Sequence, residues 1–377
     1  MKKILLVATV QSHIAQFHKP LINWLHEQGY TVDVAARNNL AEKNNLHLDE
    51  PDNIYDIPFS RSPFSFKNIK AYKALKKVIN EGGYDLVHCN TPVGGILTRM
   101  AANKLRKRGK ITVLYEAHGF HFFKGGSKKN WMIWYPIEKH FSRKTDVLVT
   151  INKMDYQLAC EKFKAKRVEH IPGVGLNLSQ FMTVNEESSI KAELGLSDEQ
   201  HIVLSVGELN KNKNHQVVIR AIAHLKDENI HYMIAGNGPL KEELEKLAKK
   251  LGVEKQVHFL GYRRDIPQLF KSADLLAFPS LREGLGMASI EAMSAGLPLV
   301  TSDRHGINDY SEDGKTGFKY SPHDYVGFAE GIKKIVYDEN LKKQMGEYNA
   351  KLAQSYTVEV SLEKLGNIYK DVLENEQ

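Results

Sequence analysis

At 377 residues, 42% of them apolar and only 2 of them cysteine, the chain has room for two α/β domains, each with its own core. Cys89 and Cys160 lack C-x-x-C spacing, which excludes a disulfide framework or structural zinc site and makes both read as core residues. The net charge of +7 is unevenly spread: residues 1–180 carry 28 Lys and Arg against 15 Asp and Glu, a net of +13, and the remainder carries 24 against 30, a net of −6. The first half therefore suits an anionic surface, and with no zinc-finger spacing, ribonucleoprotein motif or dense basic arm, that surface is a membrane leaflet and not nucleic acid.

The opening stretch "MKKILLVATVQSHIAQF" has no small-residue cleavage site and reads as a first buried strand. No apolar run reaches the roughly 18–20 residues that cross a bilayer, so a cytoplasmic protein is expected. "TVDVAA", "YDLVHCN", "ITVLYEAH" and "DVLVTI" follow as further buried parallel strands, separated by helical stretches such as "SFKNIKAYKALKKVIN" and "GGILTRMAANKLRKR". This alternation predicts a doubly wound sheet. "KKNWMIWYPIEKHFSRK" (128–144) mixes Trp131, Trp134, Tyr135 and Phe141 with Lys and Arg; it suits either a headgroup layer or a helix whose aromatics enter the core. Residues 172–188 lose all period and read as a linker.

A second set of strands then begins: "HIVLSVGE", "HYMIAG", "QVHFLG", "ADLLAFPS" and "PLVTSD". The expected fold is α/β, two Rossmann-like doubly wound domains with an interdomain cleft, at 1–175 and 189–355. Residues 356–377 form a last amphipathic helix with apolar positions Val360, Leu362, Leu365, Ile368, Tyr369 and Leu373.

Ligands gather beyond the carboxyl ends of such strands. "GELNKNKN" (207–214) offers Lys211 and Lys213 before a helix starting near His215, suited to a diphosphate or simply a solvated basic turn. "GNGPL" (236–240) lacks a third glycine and reads as a structural turn. In "REGLGMASIEAMSAGLPLV" (282–300), glycines open a helix so that backbone N–H groups can approach an anion, Glu283 precedes that helix, and Glu291 lies inside it among Ile290, Ala292, Met293 and Ala295. A carboxylate in such apolar company without a partner is unusual.

This pattern resembles the retaining glycosyltransferases of glycosyltransferase family 4, which have the GT-B fold. The E-x7-E motif is present as Glu283 to Glu291, accompanied by "VGELNKNKN", "IAGNGPL" and "FLGYRRDIPQLFKSADLLAFPS". The resemblance implies that Glu291 holds ribose hydroxyls of a nucleotide-sugar, that Glu283 contacts the donor sugar as a catalytic-site residue, and that Lys213 neutralises the diphosphate. Backbone N–H groups around Gly284, Leu285, Gly286 and Met287 would meet phosphate or sugar oxygens, with Tyr262 and Arg263 near the base. Glu208 stands where the family usually has an arginine, so Lys211, Arg263 or Arg264 would have to compensate. "YEAHGFHFF" resembles the family's active-site histidine segment, which implies His118 as catalytic, with His121 a weaker choice; His13, in a loop lacking the usual paired glycines, is assigned to the acceptor side. The last helix would cross back to the first domain.

The implied activity is a retaining hexosyltransferase using a nucleotide-sugar donor, UDP-linked, and a polyprenyl-diphosphate-linked sugar acceptor in capsule, exopolysaccharide or O-antigen assembly. It would work peripherally on the anionic inner face of the plasma membrane. No D-x-D motif occurs, so neither metal nor cofactor is expected. Two alternatives stay open: a nucleotide-sugar epimerase of the same fold, and a degenerate transferase acting as a membrane scaffold.

Overall fold

The computed structural model describes residues 1–42, 46–182 and 190–374. They form two compact units, Met1–Gly175 with Val358–Gln377, and Leu176–Thr357.

Unit 1 runs β1 (Lys3–Val10), α1 (Gln11–Phe17), α2 (Lys19–Glu27), β2 (Thr31–Arg37), β3 (Asn53–Asp56), α3 (Lys67–Glu81), β4 (Leu86–Asn90), α4 (Pro92–Ala101), α5 (Asn103–Arg106), β5 (Thr112–Ala117), α6 (Lys128–Ser142), β6 (Val147–Thr150), α7 (Lys153–Lys162) and β7 (Arg167–His170). Its seven strands are all parallel, in the order β3-β2-β1-β4-β5-β6-β7. The apolar runs become central strands because helices cover both faces of a parallel sheet, so every position of β1 after Lys3 is buried. Burying each Val, Leu or Ile in full contributes roughly 1.5–3 kcal/mol. The short edge strands β3 and β7 carry partly exposed, polar sequences, which is why no apolar run announces them.

Unit 2 begins with α8 (Ser179–Met182) and α9 (Ile190–Glu193), then β8 (His201–Val206), α10 (His215–Leu225), β9 (Ile230–Ala235), α11 (Lys241–Leu251), β10 (Val257–Gly261), α12 (Ile266–Ser272), β11 (Leu275–Phe278), α13 (Met287–Ser294), β12 (Leu299–Ser302), β13 (Gly317–Tyr320), α14 (Tyr325–Val336) and α15 (Glu339–Ala353). Its sheet is again parallel, in the order β10-β9-β8-β11-β12-β13. Asp324 and Asp338 cap α14 and α15, accepting from Gly327 N and Leu341 N. The last helix, α16 (Val358–Glu374), belongs to unit 1, where Gly366 lets it close on the Trp24 ring of α2 and Tyr369 is fully buried.

Two predicted features differ. Cys160 is exposed on α7, since only one side of that helix meets the sheet; Cys89 is buried. Of the aperiodic stretch 172–188, residues 183–189 lie outside the described residues, and the described part is not a bare linker: Leu178 and Phe181 are buried, with Phe181 5.8 Å from the Phe270 ring. No helix among the described residues is long and apolar enough to cross a membrane.

In each sheet the strand order reverses at one place, between β1 and β4 and between β8 and β11. Beyond the carboxyl ends of those strands, connections diverge to opposite faces and leave room for a ligand.

Candidate functional site

At the β8/β11 switch point of unit 2, the loops after the two strands are stitched together by three consecutive residues. Asn212 donates to Arg282 O and accepts from Leu281 N; Asn214, held in the left-handed region at φ 56°, donates to Pro279 O and Pro322 O. Between them, Lys213 Nζ lies 2.8 Å from Glu283 Oε1 and 4.8 Å over the Phe278 ring. An aromatic face and a carboxylate thus hold one ammonium in place.

The helix α13 starts directly after this pair. Gly286 precedes it at φ +94°, and a Cβ there would come 2.6 Å from Tyr310 Oη and 2.8 Å from the Phe278 ring, so only glycine fits. Gly306 N donates to Glu283 O, and a side chain at 306 would strike the Gly284 carbonyl, which pins residues 283–285 against the 305–309 turn. The first N–H groups of α13 have no carbonyl to meet within the helix, and the dipole there favours an anion. Inside the helix, no hydrogen bond or ion pair reaches the Glu291 carboxylate among the described residues, and burial pushes its pKa from 4.5 up to about 7.

The other residues marked in sequence fall differently. Arg263 does not supply a missing positive charge: its guanidinium is taken by Asp265, at 2.5 Å, and Glu193, at 2.8 Å. Arg264 and Tyr262 are exposed, Tyr262 by 61%. Glu208 is exposed and accepts from Asn210. Lys211 lines a cavity of about 420 Å³ with His215, Arg220 and Leu240, and Lys213 is not part of that lining. Of the two lysines in this loop, Lys213 is the one that meets Glu283.

Unit 1 carries a second constellation near its own β1/β4 switch point. Thr91, the residue after β4, sits at φ 64°, rare for a β-branched residue, and its Oγ1 accepts from Thr9 N. Strand register sets Asn90 beside Glu116, and period two places His88 and Asn90 on one face while Val87 and Cys89 enter the apolar core on the other. Asn90 Oδ1 accepts from His118 Nε2 at 2.9 Å and from His18 Nε2 at 3.1 Å. Glu116 lies 3.1 Å from His88 Nε2 and 3.4 Å from His118 Nε2, and His88 Nδ1 meets Tyr369 Oη of α16 at 2.7 Å. His13, on α1, packs edge-on to His118 with ring centroids 4.7 Å apart.

Burial lowers the pKa of His13, reinforced by His118 and His18, and takes His18 down to about 3. Burial also lowers His118, opposed by Glu116. For Glu116, burial alone would raise the pKa, but the surrounding imidazoles and the contact with His88 outweigh it and the carboxyl is held below its ordinary range. The result is one buried carboxylate set among His88, His118 and His18, the last two with lowered pKa values. His121 is placed apart from this group, stacked on Trp134 at 4.8 Å.

Sequence reasoning singled out His13 and His118 but passed over His18, His88, Asn90, Glu116 and Tyr369. The available signal was a run of polar residues at alternate positions inside "VHCN" and "YEAH", masked by the apolar character of both strands. Two groups there could hold a metal ion, His13 with His18 and His118, and His18 with His88 and Glu116; within each, the ligand atoms lie within 4.8 Å of one another. Imidazole donors of this kind suit zinc or another late transition metal.

The headgroup-layer alternative for residues 128–144 is not how its aromatics are used. Trp131, Trp134 and Tyr135 pack on the unit 1 core, Trp131 Nε1 donates to Phe123 O, and Phe141 lies under Arg99.

Comparison with known proteins completes the picture. Residues 3–152 match the family model "Glycosyl transferase 4-like" and residues 186–352 match "Glycosyl transferases group 1". The chain is 38% identical over 373 residues to EpsD of Bacillus subtilis (strain 168), provisionally named a glycosyltransferase, covering 98% of this chain and 96% of that one. It is 25% identical to the Escherichia coli UDP-Gal:alpha-D-GlcNAc-diphosphoundecaprenol alpha-1,3-galactosyltransferase, covering 87% of this chain and 86% of that one. Among solved structures it is similar to HepE of Anabaena in complex with UDP and glucose, at 20% identity and a TM-score of 0.76, covering 98% of this chain and 100% of that one.

Proposed function

Since the chain belongs to the GT-B glycosyltransferases of the group 1 and glycosyltransferase 4-like families, we propose that it is a retaining, metal-independent hexosyltransferase that moves a sugar from a UDP-sugar to a lipid-linked saccharide in capsule, exopolysaccharide or related surface-polysaccharide assembly. The observation that carries this is the switch point of unit 2: a lysine and a glutamate 2.8 Å apart, then a glycine-opened helix start, then a half-buried carboxylate with no partner among the described residues.

In this assignment the diphosphate lies at the start of α13, where Lys213 and the N–H groups of Gly284, Leu285, Gly286 and Met287 balance its charge. Glu283 accepts from sugar hydroxyls and Glu291 from the ribose hydroxyls. The bond from the anomeric carbon to the diphosphate oxygen breaks with its electron pair leaving on the diphosphate. The acceptor hydroxyl oxygen bonds to the same face of that carbon and gives its proton to the departing diphosphate oxygen. Charge stabilisation of the leaving group by a placed donor is worth about 3–4 kcal/mol. On unit 1, His118 is assigned as the catalytic histidine, contributing as a neutral imidazole, and His13 is assigned to the acceptor side.

The Escherichia coli relative, by its name, uses UDP-Gal and a diphosphoundecaprenol-linked sugar, which supports the donor nucleotide and the acceptor class. A lipid-linked acceptor, with the net charge of +13 on residues 1–180, supports work at an anionic inner membrane face. Exposed Glu208, where an arginine is usual, favours one second reading, a degenerate transferase retained as a scaffold.

Incubation of the purified protein with a panel of UDP- and GDP-sugars separates the two. A transferase hydrolyses one donor slowly and, given a polyprenyl-diphosphate-linked sugar, yields a product whose anomeric configuration by NMR matches the donor. Release of no sugar from any donor refutes the transferase.

A further inference from the structure

Three imidazoles meet beyond the carboxyl ends of the central strands of unit 1. His13 lies on α1, which directly follows β1; His18 is the non-helical residue between α1 and α2, where Pro20 starts the second helix; and His118 follows β5. Since β1 and β5 flank β4 in a parallel sheet, all three emerge at the same edge. Their rings are mutual neighbours, with centroids 4.7 Å apart for His13 and His118, 5.3 Å for His13 and His18, and 5.9 Å for His18 and His118. One ring nitrogen from each lies within 4.8 Å of the other two. The Nε2 atoms of His18 and His118 converge on a single oxygen, Asn90 Oδ1, while His13 Nε2 and His18 Nδ1 are enclosed without a hydrogen-bond partner among the described residues. A buried ring nitrogen left unpaired is costly, and a ligand that engages it removes that penalty.

The charge of the cluster selects the ligand. Glu116 is buried, 3.4 Å from His118 Nε2 and 3.9 Å from His18 Nε2. Its carboxylate attracts a cation and repels a phosphate, and nitrogen donors favour zinc or a neighbouring transition metal over magnesium or calcium, which take oxygen. We propose that His13, His18 and His118 bind one zinc ion, with the Glu116 carboxylate balancing part of its charge and the fourth tetrahedral position open. Zn–N bonds of about 2.0–2.1 Å put ligand nitrogens roughly 3.4 Å apart, so side-chain shifts of about an ångström close the set. The His118 side chain is 22% exposed, which gives the ion a way in from solvent, and buried His18 anchors the site in the fold. An ion here occupies ring nitrogens of His118 and His13, so it blocks transfer and leaves nucleotide binding by unit 2 intact. That consequence rests on the catalytic and acceptor-side roles proposed for these two residues; the binding of zinc does not.

The test is calorimetric titration of the metal-freed full chain with ZnCl2, repeated with MgCl2, and with CoCl2 followed by visible absorption. The expected result is one zinc per chain, no response to magnesium, and the intense cobalt bands of a tetrahedral nitrogen site. His13→Gln and His118→Gln, each shown to be folded by circular dichroism and melting temperature, should weaken zinc binding on the order of 100-fold. With a UDP-sugar and a polyprenyl-diphosphate-linked acceptor, zinc should stop transfer, EDTA should restore it, and UDP affinity should not change. No saturable zinc binding, or equal affinity in wild type and both variants, overturns the site. Affinity lost in His88→Gln but kept in His13→Gln moves the ion to the deeper group of His18, His88 and Glu116 and overturns this ligand set. Stoichiometric zinc with undiminished transfer overturns the inhibition and the roles given to His118 and His13, not the site. Absence of transfer from every donor before zinc is added refutes the transferase, and the titrations alone then decide the site.

Discussion

Glu291→Gln tests the donor site through stability as well as through binding. Burial raises the Glu291 carboxyl from 4.5 to about 7, so the folded state holds its proton more tightly than the unfolded chain does. Stability associated with that proton is fully present below pH 4.5 and is lost as pH rises through about 7. A shift of about 2.5 units at 1.36 kcal/mol per unit makes the loss about 3 kcal/mol at pH 8. Glutamine has no proton to lose, so the variant without ligand should be more stable than wild type at pH 8 by up to about 3 kcal/mol, with the advantage shrinking to nothing near pH 4.5. For a unit of this size that is on the order of 6–12 °C in melting temperature. Nucleotide binding should move the opposite way. Hydrogen bonds from two ribose hydroxyls to an ionised acceptor are worth about 1.5–3 kcal/mol each, more than an amide oxygen returns, so UDP affinity should fall on the order of 10- to 100-fold. Wild-type affinity should also weaken as pH drops below about 7, while the variant's stays flat. Urea titrations at pH 4.5 and 8, with calorimetric UDP titrations across that range, read both effects. A variant no more stable at pH 8, with wild-type UDP affinity, would refute the placing of an unpartnered carboxylate against ribose.

Lys213→Met should lower turnover by about 100- to 1,000-fold, since one charge on the leaving diphosphate is lost; steady-state kinetics with the preferred donor checks this, and a change confined to KM would count against it. Gly286→Ala forces a Cβ against Tyr310 and Phe278 at φ +94° and should cost about 1–3 kcal/mol in urea unfolding along with UDP affinity; a fully stable variant with unchanged affinity would contradict the close approach. Glu116→Gln should destabilise by about 1–3 kcal/mol at pH 7, because buried ring N–H groups lose their charged acceptor. The wild-type carboxyl is held below its ordinary range, so that advantage is present above about pH 4.5 and is lost as pH falls further; a difference that stays constant into acid would oppose an ionised Glu116.

The central strands were legible because a buried parallel strand is mostly apolar, and β1, β4, β5, β8 and β11 each appear as such a run even with His88, Asn90 and Glu116 inside β4 and β5. The stretch holding Glu283 and Glu291 was marked for a related reason: a glycine-opened helix start and two glutamates lie within one short segment, so local backbone chemistry and spacing suffice to single it out. Edge strands β3, β7 and β13 carried no comparable signal, since half their surface faces water and their polar residues resemble loops. Lys213 was named beside Lys211, but only the Asn212 and Asn214 bonds between two loops 70 residues apart decide which lysine meets Glu283. Arg263 shows the converse, a cation plausible by position that its neighbours Asp265 and Glu193 have already taken.

By itself, then, the sequence determined two parallel-sheet α/β units and singled out Glu283 and Glu291, because apolar runs, glycines and short spacings act locally along the chain. Tertiary structure alone decided what surrounds His118: Asn90 and Glu116 become neighbours through register between β4 and β5, and Tyr369 arrives from a helix 281 residues beyond His88. No local rule links those positions, because strand pairing and the return of α16 bring them together only when the whole unit folds.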